Sequence, residues 1–198
     1  IALGATPSIL PYLTTATPDA ADVAHARQIA AFAQPRAVIT PSDARAHVAA
    51  AFAETGCPVW SVPAIADERT AHDFAVPVRI SQPEDPAYLQ FSSGTTGAQK
   101  GVILSHRAIV KNLQALAAVL NYRQDDVTVS WLPLYHDMGL ISLLLSLLRG
   151  TSVVLLSPLY WARQPKSLLW AVHRYQGTLK WMPNFGFQHC SQTIPEQD

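Results

Sequence analysis

Charge is what this sequence has least of. Of its 198 residues, 14% are Asp, Glu, Lys or Arg, against about 25% in an ordinary soluble domain. The 14 bases offset the 14 acids, so the formal net charge is zero. A neutral chain is not built mainly to bind nucleic acid or an acidic membrane. Cysteine is nearly absent. Cys57 and Cys190 stand far apart, form neither a metal nor a redox motif, and read as free thiols in a reducing compartment. Long apolar runs are missing too. The longest, Met138 to Leu148, is about half of the roughly 20 residues a membrane span needs, and reads as a buried helix. No secretory signal opens the chain, so the expected location is cytoplasmic. The seven histidines show no His-x-His or His-x-x-x-His spacing, and no metal ligand set is expected.

The few charges are unevenly placed. Residues 1–99 hold nine acids against five bases, and residues 100–198 hold five acids against nine bases. The basic half suits an anion, weakly. Residues 127–162 carry one acid, Asp137, and one base, Arg149. A self-sufficient domain needs more solvated surface than this. The chain begins at Ile1 without a methionine. Both features suggest an interior slice of a longer polypeptide, with apolar faces meant to be covered.

Helical and strand signals alternate. Helices are expected at 22–33, 44–54, 108–120, 138–148 and 165–175. Pro41-Ser42-Asp43 offers capping oxygens to the second of these, and Gly56 ends it. His106 is expected to cap the third. Strands are expected at 37–40, 59–62, 88–91, 102–104, 127–132, 151–156 and 178–182. Residues 63–86, with Pro63, Pro77, Pro83 and Pro86, read as a linker or surface excursion with one edge strand at 75–80. They mark the expected subdomain boundary. Unbroken apolar strands separated by helices imply an α/β fold, with parallel-rich sheets covered by helices on both faces. Trp131, Trp161, Trp170 and Trp181 read as core or subdomain-contact residues.

The informative stretch is Ser92-Ser93-Gly94-Thr95-Thr96-Gly97-Ala98-Gln99-Lys100-Gly101, directly after a strand. Glycine lets the backbone approach an anion and point N–H groups at it. The hydroxyls of Ser92, Ser93, Thr95 and Thr96 add donors, and Lys100 adds a full positive charge. A Walker A loop needs Gly just before Lys, and here Gln99 stands there. The G-x-G-x-x-G dinucleotide spacing and the G-x-S-x-G nucleophile elbow are absent as well. A polar hairpin would explain the glycines and hydroxyls, but the lysine in this string weighs against that reading.

The run Tyr88-Leu89-Gln90-Phe91 with this loop resembles the signature loop of the adenylate-forming (AMP-binding) superfamily, with Gln99 where proline is usual. Trp131-Leu132-Pro133-Leu134-Tyr135-His136-Asp137-Met138-Gly139-Leu140 is similar to the family's next core motif. Its wording resembles fatty acyl-AMP ligases and long-chain acyl-CoA ligases. Leu156-Ser157-Pro158 and Trp181-Met182-Pro183-Asn184-Phe185-Gly186 resemble the same branch. Leu3-Gly4-Ala5-Thr6-Pro7 resembles the early motif where a helix ends and a strand begins.

The resemblance implies an incomplete N-terminal domain of an adenylate-forming enzyme over residues 1–198, with the C-terminal domain absent. The implied ligase joins a fatty acid or other carboxylate to ATP, giving acyl-AMP and pyrophosphate. It then passes the acyl group to CoA or an acyl carrier protein, in fatty acid metabolism or in lipid or polyketide biosynthesis. Ser92, Ser93, Gly94, Thr95, Thr96, Gly97 and Lys100 would hold the ATP phosphates, with Mg²⁺ brought by ATP. His136 would lie beside the reacting carboxylate, against the alternative of a structural histidine. Asn184, Phe185 and Gly186 would wall the acyl pocket. Lys100 and His136 are the catalytic candidates. The chain alone is expected to be inactive. The alternative is a non-catalytic nucleotide-binding module or pseudoenzyme of the same fold. If the slice reading is right, the isolated chain should bind a hydrophobic dye more strongly than an ordinary monomer of its size. Ordinary dye binding would count against it.

Overall fold

The structure is a computed structural model that describes residues 4–11, 20–62, 80–91 and 100–194. The chain divides into two compact units, residues 10–79 and residues 1–9 with 80–198.

In the unit formed by 10–79, helix α1 (Ala20–Ala33) precedes strand β1 (Val38–Pro41), helix α2 (Arg45–Phe52) and strand β2 (Val59–Val62). The strands pair in parallel from Val38↔Val59 to Pro41↔Val62, as a crossover through a helix allows. Ala26, Ala51 and Phe52 are buried and packed by Val38, Val48 and Val59. The expected cap of α2 does not form. Ala44 is the N-cap and no side chain bonds there. Ser42 Oγ instead donates to the Val62 carbonyl at 2.9 Å, fastening the end of β1 to β2. A 3-10 turn (Ala53–Thr55) follows α2 and stops at Gly56, whose φ is +69°, a conformation that favours glycine. Cys57 is free. Its Sγ donates to the Pro35 carbonyl at 3.3 Å, and burial pushes the thiol up. The edge strand expected at 75–80 lies outside the described residues but for Ile80, which is not in a strand.

The other unit opens with an antiparallel pair, β3 (Pro86–Phe91) and β4 (Gly101–Ser105), in register Phe91↔Gly101 and Gln90↔Val102. The connection, 92–100, is too short for a parallel crossover of a dozen or more residues. Residues 4–11 form neither helix nor strand, so the expected helix-to-strand passage near Leu3–Pro7 is not seen at 4–7. Residues 7–9 still run beside β3: Leu89 N–H donates to the Pro7 carbonyl at 3.0 Å and Ile9 N–H to Tyr88 Oη at 2.9 Å. Helix α3 (His106–Val119) follows. Ser105, not His106, is its cap, its Oγ accepting from Ala108 N–H at 3.2 Å. The carbonyls of Asp85 and Pro83 accept from His106 and Arg107 N–H, and Arg107 pairs with Glu84.

The remaining strands form one parallel sheet in the order β6–β5–β7: β6 (Ser152–Leu155), β5 (Val127–Ser130) and β7 (Leu179–Lys180). Helix α4 (Asp137–Arg149) links β5 to β6, and α5 (Pro158–Arg163) and α6 (Lys166–Tyr175) link β6 to β7. Helix α7 (Asn184–Thr193) follows β7. No described helix is long and apolar enough to cross a membrane.

β5 is the central strand, and Thr128, Val129 and Ser130 are each at most 1% exposed. Successive side chains point to opposite faces. Val129 packs with Leu168 and Ala171 of α6 and with Trp131 and Trp161. Thr128 faces α4, with its Oγ1 3.0 Å from Ser146 Oγ. Both faces of this sheet are therefore covered, as the apolar strands implied. Tyr122 supplies the missing polar partner. Its Oη lies 3.1 Å from Thr128 Oγ1, 3.1 Å from Ser146 Oγ and 2.8 Å from Thr151 Oγ1. Four hydroxyls thus satisfy one another in a water-poor interior, where unpaired they would each cost about 1–3 kcal/mol.

Tyr122→Phe should destabilise the chain by about 1–3 kcal/mol, read as a lower urea midpoint with unchanged slope. Asp126 gives a second test. Its carboxylate accepts from Arg123 N–H at 2.6 Å and from Thr178 Oγ1 at 2.7 Å. These bonds hold its carboxyl below the usual aspartate range, the Arg123 amide contributing most. A carboxyl depressed on folding adds stability above its unfolded pKa and loses it as pH falls through the folded value. Between pH 6 and 3 the wild-type urea midpoint should therefore fall more steeply than that of Asp126→Asn. Parallel curves would contradict this.

Candidate functional site

Because β5, β6 and β7 are parallel, their carboxyl ends lie along one edge of the sheet. In open parallel sheets that edge is where ligands bind. Here it carries the segments after Ser130, Leu155 and Lys180, which contain three of the stretches quoted from the sequence.

The segment after β5 is tightly fixed. Ser130 Oγ accepts from Leu132 N–H at 3.2 Å, and the Ser130 carbonyl accepts from Leu156 N–H at 2.8 Å. Trp131 and Leu132 are buried, whereas His136 and Asp137 are exposed. His136 N–H donates to the Pro133 carbonyl at 3.1 Å, and Leu140 N–H to the His136 carbonyl at 3.0 Å. His136 is the N-cap of α4, and its side chain makes no capping bond. The imidazole instead sits beside the Tyr135 ring, centroids 4.7 Å apart. Asp137 Oδ1 accepts from Met138 N–H at 2.7 Å, placing its charge in the first turn, where the helix dipole favours an anion. Gly139 makes the close approach possible. A Cβ there would overlap the Pro133 carbonyl oxygen and sit 2.9 Å from its carbon. Alanine is otherwise the better helix former by about 1 kcal/mol. Overlap with fixed backbone costs about 1–3 kcal/mol, so crowding decides for glycine.

Lys100 is exposed and stands directly before Gly101, the residue of β4 that pairs with Phe91. Lys100 is thus carried at the loop end of the β3–β4 hairpin. One residue inside that end, Gln90 Nε2 donates to the Tyr135 carbonyl at 2.6 Å. The bond joins the lysine-bearing hairpin to the turn ending at His136. Ser92, Ser93, Gly94, Thr95, Thr96 and Gly97 lie outside the described residues.

Asn184 and Phe185 open α7 and are exposed, whereas Gly186 is buried. Phe185 meets Trp131 edge-on at 5.9 Å. A Cβ on Gly186 would stand 2.7 Å from Met182 Sδ and 3.2 Å from Trp131 Cζ2. Trp131 in turn stacks on Trp161, centroids 3.5 Å apart and planes 7° from parallel. Trp161 meets His189 of α7 edge-on, and His189 Nε2 lies 3.0 Å from the Ala162 carbonyl. Phe185 and Gly186 are therefore brought to Trp131, on the same segment as His136. Of the two readings given for Trp170, core or subdomain contact, the first does not hold: it is 60% exposed and touches Tyr175.

Two residues of this arrangement, Gln90 and Gly139, have roles that their motifs alone do not show. Gln90 is a carboxamide between Leu89 and Phe91 in a strand otherwise apolar, and that contrast is the available signal. Gly139 follows Met138 near a helix start, where nothing local announces the crowding. Among the described residues no group of three His, Cys, Asp or Glu is placed to hold a metal ion. The described donors therefore do not by themselves make a magnesium site.

Comparison with known proteins adds a frame. The family model described as AMP-binding enzyme matches residues 11–196. Over 174 residues the chain is 33% identical to the Mycobacterium tuberculosis protein named "Probable long-chain-fatty-acid–AMP ligase FadD30", covering 81% of this chain and 29% of that protein. It is 30% identical over 117 residues to the medium-chain-fatty-acid–acyl-carrier-protein ligase TtuA of Teredinibacter turnerae, covering 59% and 18%. Its fold matches a fatty acyl-adenylate ligase of L. pneumophila, solved with acyl adenylate and pyrophosphate, at a TM-score of 0.78 and 27% identity, over 94% of this chain and 32% of that one. The chain spans less than a third of the length of each of these relatives. The loop motif, the turn at His136, the parallel sheet and these likenesses agree: the chain belongs to the AMP-binding enzyme family.

Proposed function

We propose that this chain is the phosphate- and carboxylate-handling part of an ATP-dependent ligase that adenylates a fatty acid. The observation that carries the reading is the hydrogen bond from Gln90 to the Tyr135 carbonyl. It ties a hairpin ending in a phosphate-type loop and Lys100 to the turn bearing His136. A cation for a polyphosphate and an imidazole for a carboxylate thus belong to one connected scaffold, the antiparallel hairpin tied to a turn at the carboxyl edge of the parallel sheet. The solved relative that holds acyl adenylate and pyrophosphate supports the same pair of ligands.

In this reading a carboxylate oxygen attacks the α-phosphorus of ATP. The new bond is carboxyl oxygen to phosphorus. The bond between that phosphorus and the bridging oxygen breaks, and pyrophosphate leaves with the electron pair. No protein nucleophile is needed, so the protein contributes position and charge. Lys100, with Ser92, Ser93, Gly94, Thr95, Thr96 and Gly97, would hold the β- and γ-phosphates as charge builds on the leaving group. Mg²⁺ would arrive on the phosphate oxygens of ATP. His136 would border the carboxylate, and Phe185 and Gly186, with Asn184 at the helix start, would border the acyl chain. The exposed Phe185 and the buried indoles behind it suit an apolar ligand.

The acceptor of the acyl group would be the thiol of CoA or of a carrier protein, and the named activity of the T. turnerae relative favours the carrier. We place the protein in the cytoplasm and the subdomain boundary within 63–86. The 198 residues alone would not turn over, because the matched segment is less than a third of the length of each of these relatives.

ATP–pyrophosphate exchange with a fatty acid tests the reading. A longer protein carrying this chain should exchange, and the 198-residue chain should not. In the longer protein Lys100→Ala should slow exchange by about 10²–10³-fold, the usual effect of losing one charge-stabilising group. Acyl transfer from supplied acyl-AMP should change far less. Exchange at the wild-type rate would refute the phosphate role of Lys100.

A further inference from the structure

Alternation along β3 places Tyr88 and Gln90 on one face and Leu89 and Phe91 on the other. Tyr88 is buried, and its hydroxyl is engaged by the Ile9 amide. Gln90 extends from the same face and is itself half-buried, where a carboxamide needs a partner. That partner is the Tyr135 carbonyl, at 2.6 Å and partly buried. Within the turn, the Pro133 carbonyl is taken by His136 N–H and the His136 carbonyl by Leu140 N–H. Gly139 presses the start of α4 onto Pro133. The turn is therefore stiff within itself, and the bond at Tyr135 ties it directly to the hairpin.

We propose that Gln90 is a positioning residue for adenylation. By holding the Tyr135 carbonyl it sets the separation between the Lys100 end of the hairpin and His136. The inference rests on the adenylation reading above. Gln90 itself touches neither ATP nor carboxylate in this account. It acts through the two residues flanking its bond: Tyr135, next to His136, and Phe91, paired with the glycine next to Lys100. Small misplacements of reacting groups are costly in rate, on the order of 10²-fold for about 1 Å.

Two substitutions separate positioning from bulk. Gln90→Met keeps the length and removes the donor. Gln90→Glu keeps the shape and turns the donor into an anion facing a carbonyl oxygen, until protonation restores an O–H that donates to Tyr135. In a longer protein carrying this chain, Gln90→Met should lower kcat of ATP–pyrophosphate exchange about 10-fold, with KM for ATP and carboxylate within about twofold. At pH 8 Gln90→Glu should be at least as slow. Its rate relative to wild type should climb as pH falls, while the Gln90→Met ratio stays flat. A merely structural residue would shift both unfolding midpoints and give two flat ratios. Wild-type exchange in Gln90→Met, or a flat ratio for Gln90→Glu, overturns the proposal. If the wild-type protein shows no exchange at all, the adenylation reading fails. The tie is then judged by amide hydrogen exchange over residues 133–140. Faster exchange in Gln90→Met supports it, and equal rates overturn it.

Discussion

A strand buried on both faces cannot leave its polar side chains unpaired, and β5 carries two of them. Thr128 and Ser130 sit at 0% and 1% exposure beside Val129. The cost of an unsatisfied hydroxyl is comparable to that of a lost core methyl group or more. Each hydroxyl is therefore matched, Thr128 by groups brought from elsewhere in the chain and Ser130 by an amide two residues on. Tyr122 reaches in from the end of α3, Ser146 from α4 and Thr151 from the start of β6. Ser130 turns its oxygen onto the amide of Leu132. The strand thereby fixes the elements around it, and also the point and direction at which the chain leaves the sheet toward His136.

The edge proposed to bind ligand inherits that order. The residues proposed to meet ligand stand on short exposed stretches whose roots are rigid: His136 above a backbone turn and a crowded glycine, Phe185 above a stacked indole, Lys100 at the end of a paired hairpin. Such a division suits chemistry that needs charge and placement rather than a protein nucleophile. In the proposed reaction a rigid root limits how much each side chain must reorganise as charge moves from carboxylate to pyrophosphate.

Much of this was legible in the sequence because the signals were local. Apolar runs at 127–132 and 151–156 gave parallel strands, and the glycine, hydroxyl and lysine string gave the family. What escaped was set by distance or competition. Ser42 looked like a cap, but the Val62 carbonyl, twenty residues on, took its hydroxyl. His106 looked like a cap until Ser105, one residue earlier, supplied the oxygen. The antiparallel turn of β4 follows from a short connection, which an apolar pattern does not report. Helix α5 had a visible signal, Ser157-Pro158, with Ser157 Oγ accepting from Tyr160 N–H, and it was hidden by the strand before it. Gln90 had no local signal beyond its polarity, since its partner lies 45 residues away.

The stacked indoles of Trp131 and Trp161 have an optical consequence. Two chromophores 3.5 Å apart and nearly parallel share their electronic excitation, so their absorption and circular dichroism are those of a pair. One comes from the end of the central strand and the other from α5, and Phe185 and His189 of α7 touch them at the edges. The molecule thus carries an unlabelled reporter at the carboxyl edge of its parallel sheet. Its signal is a property of the gap between three elements, and it changes when that gap does.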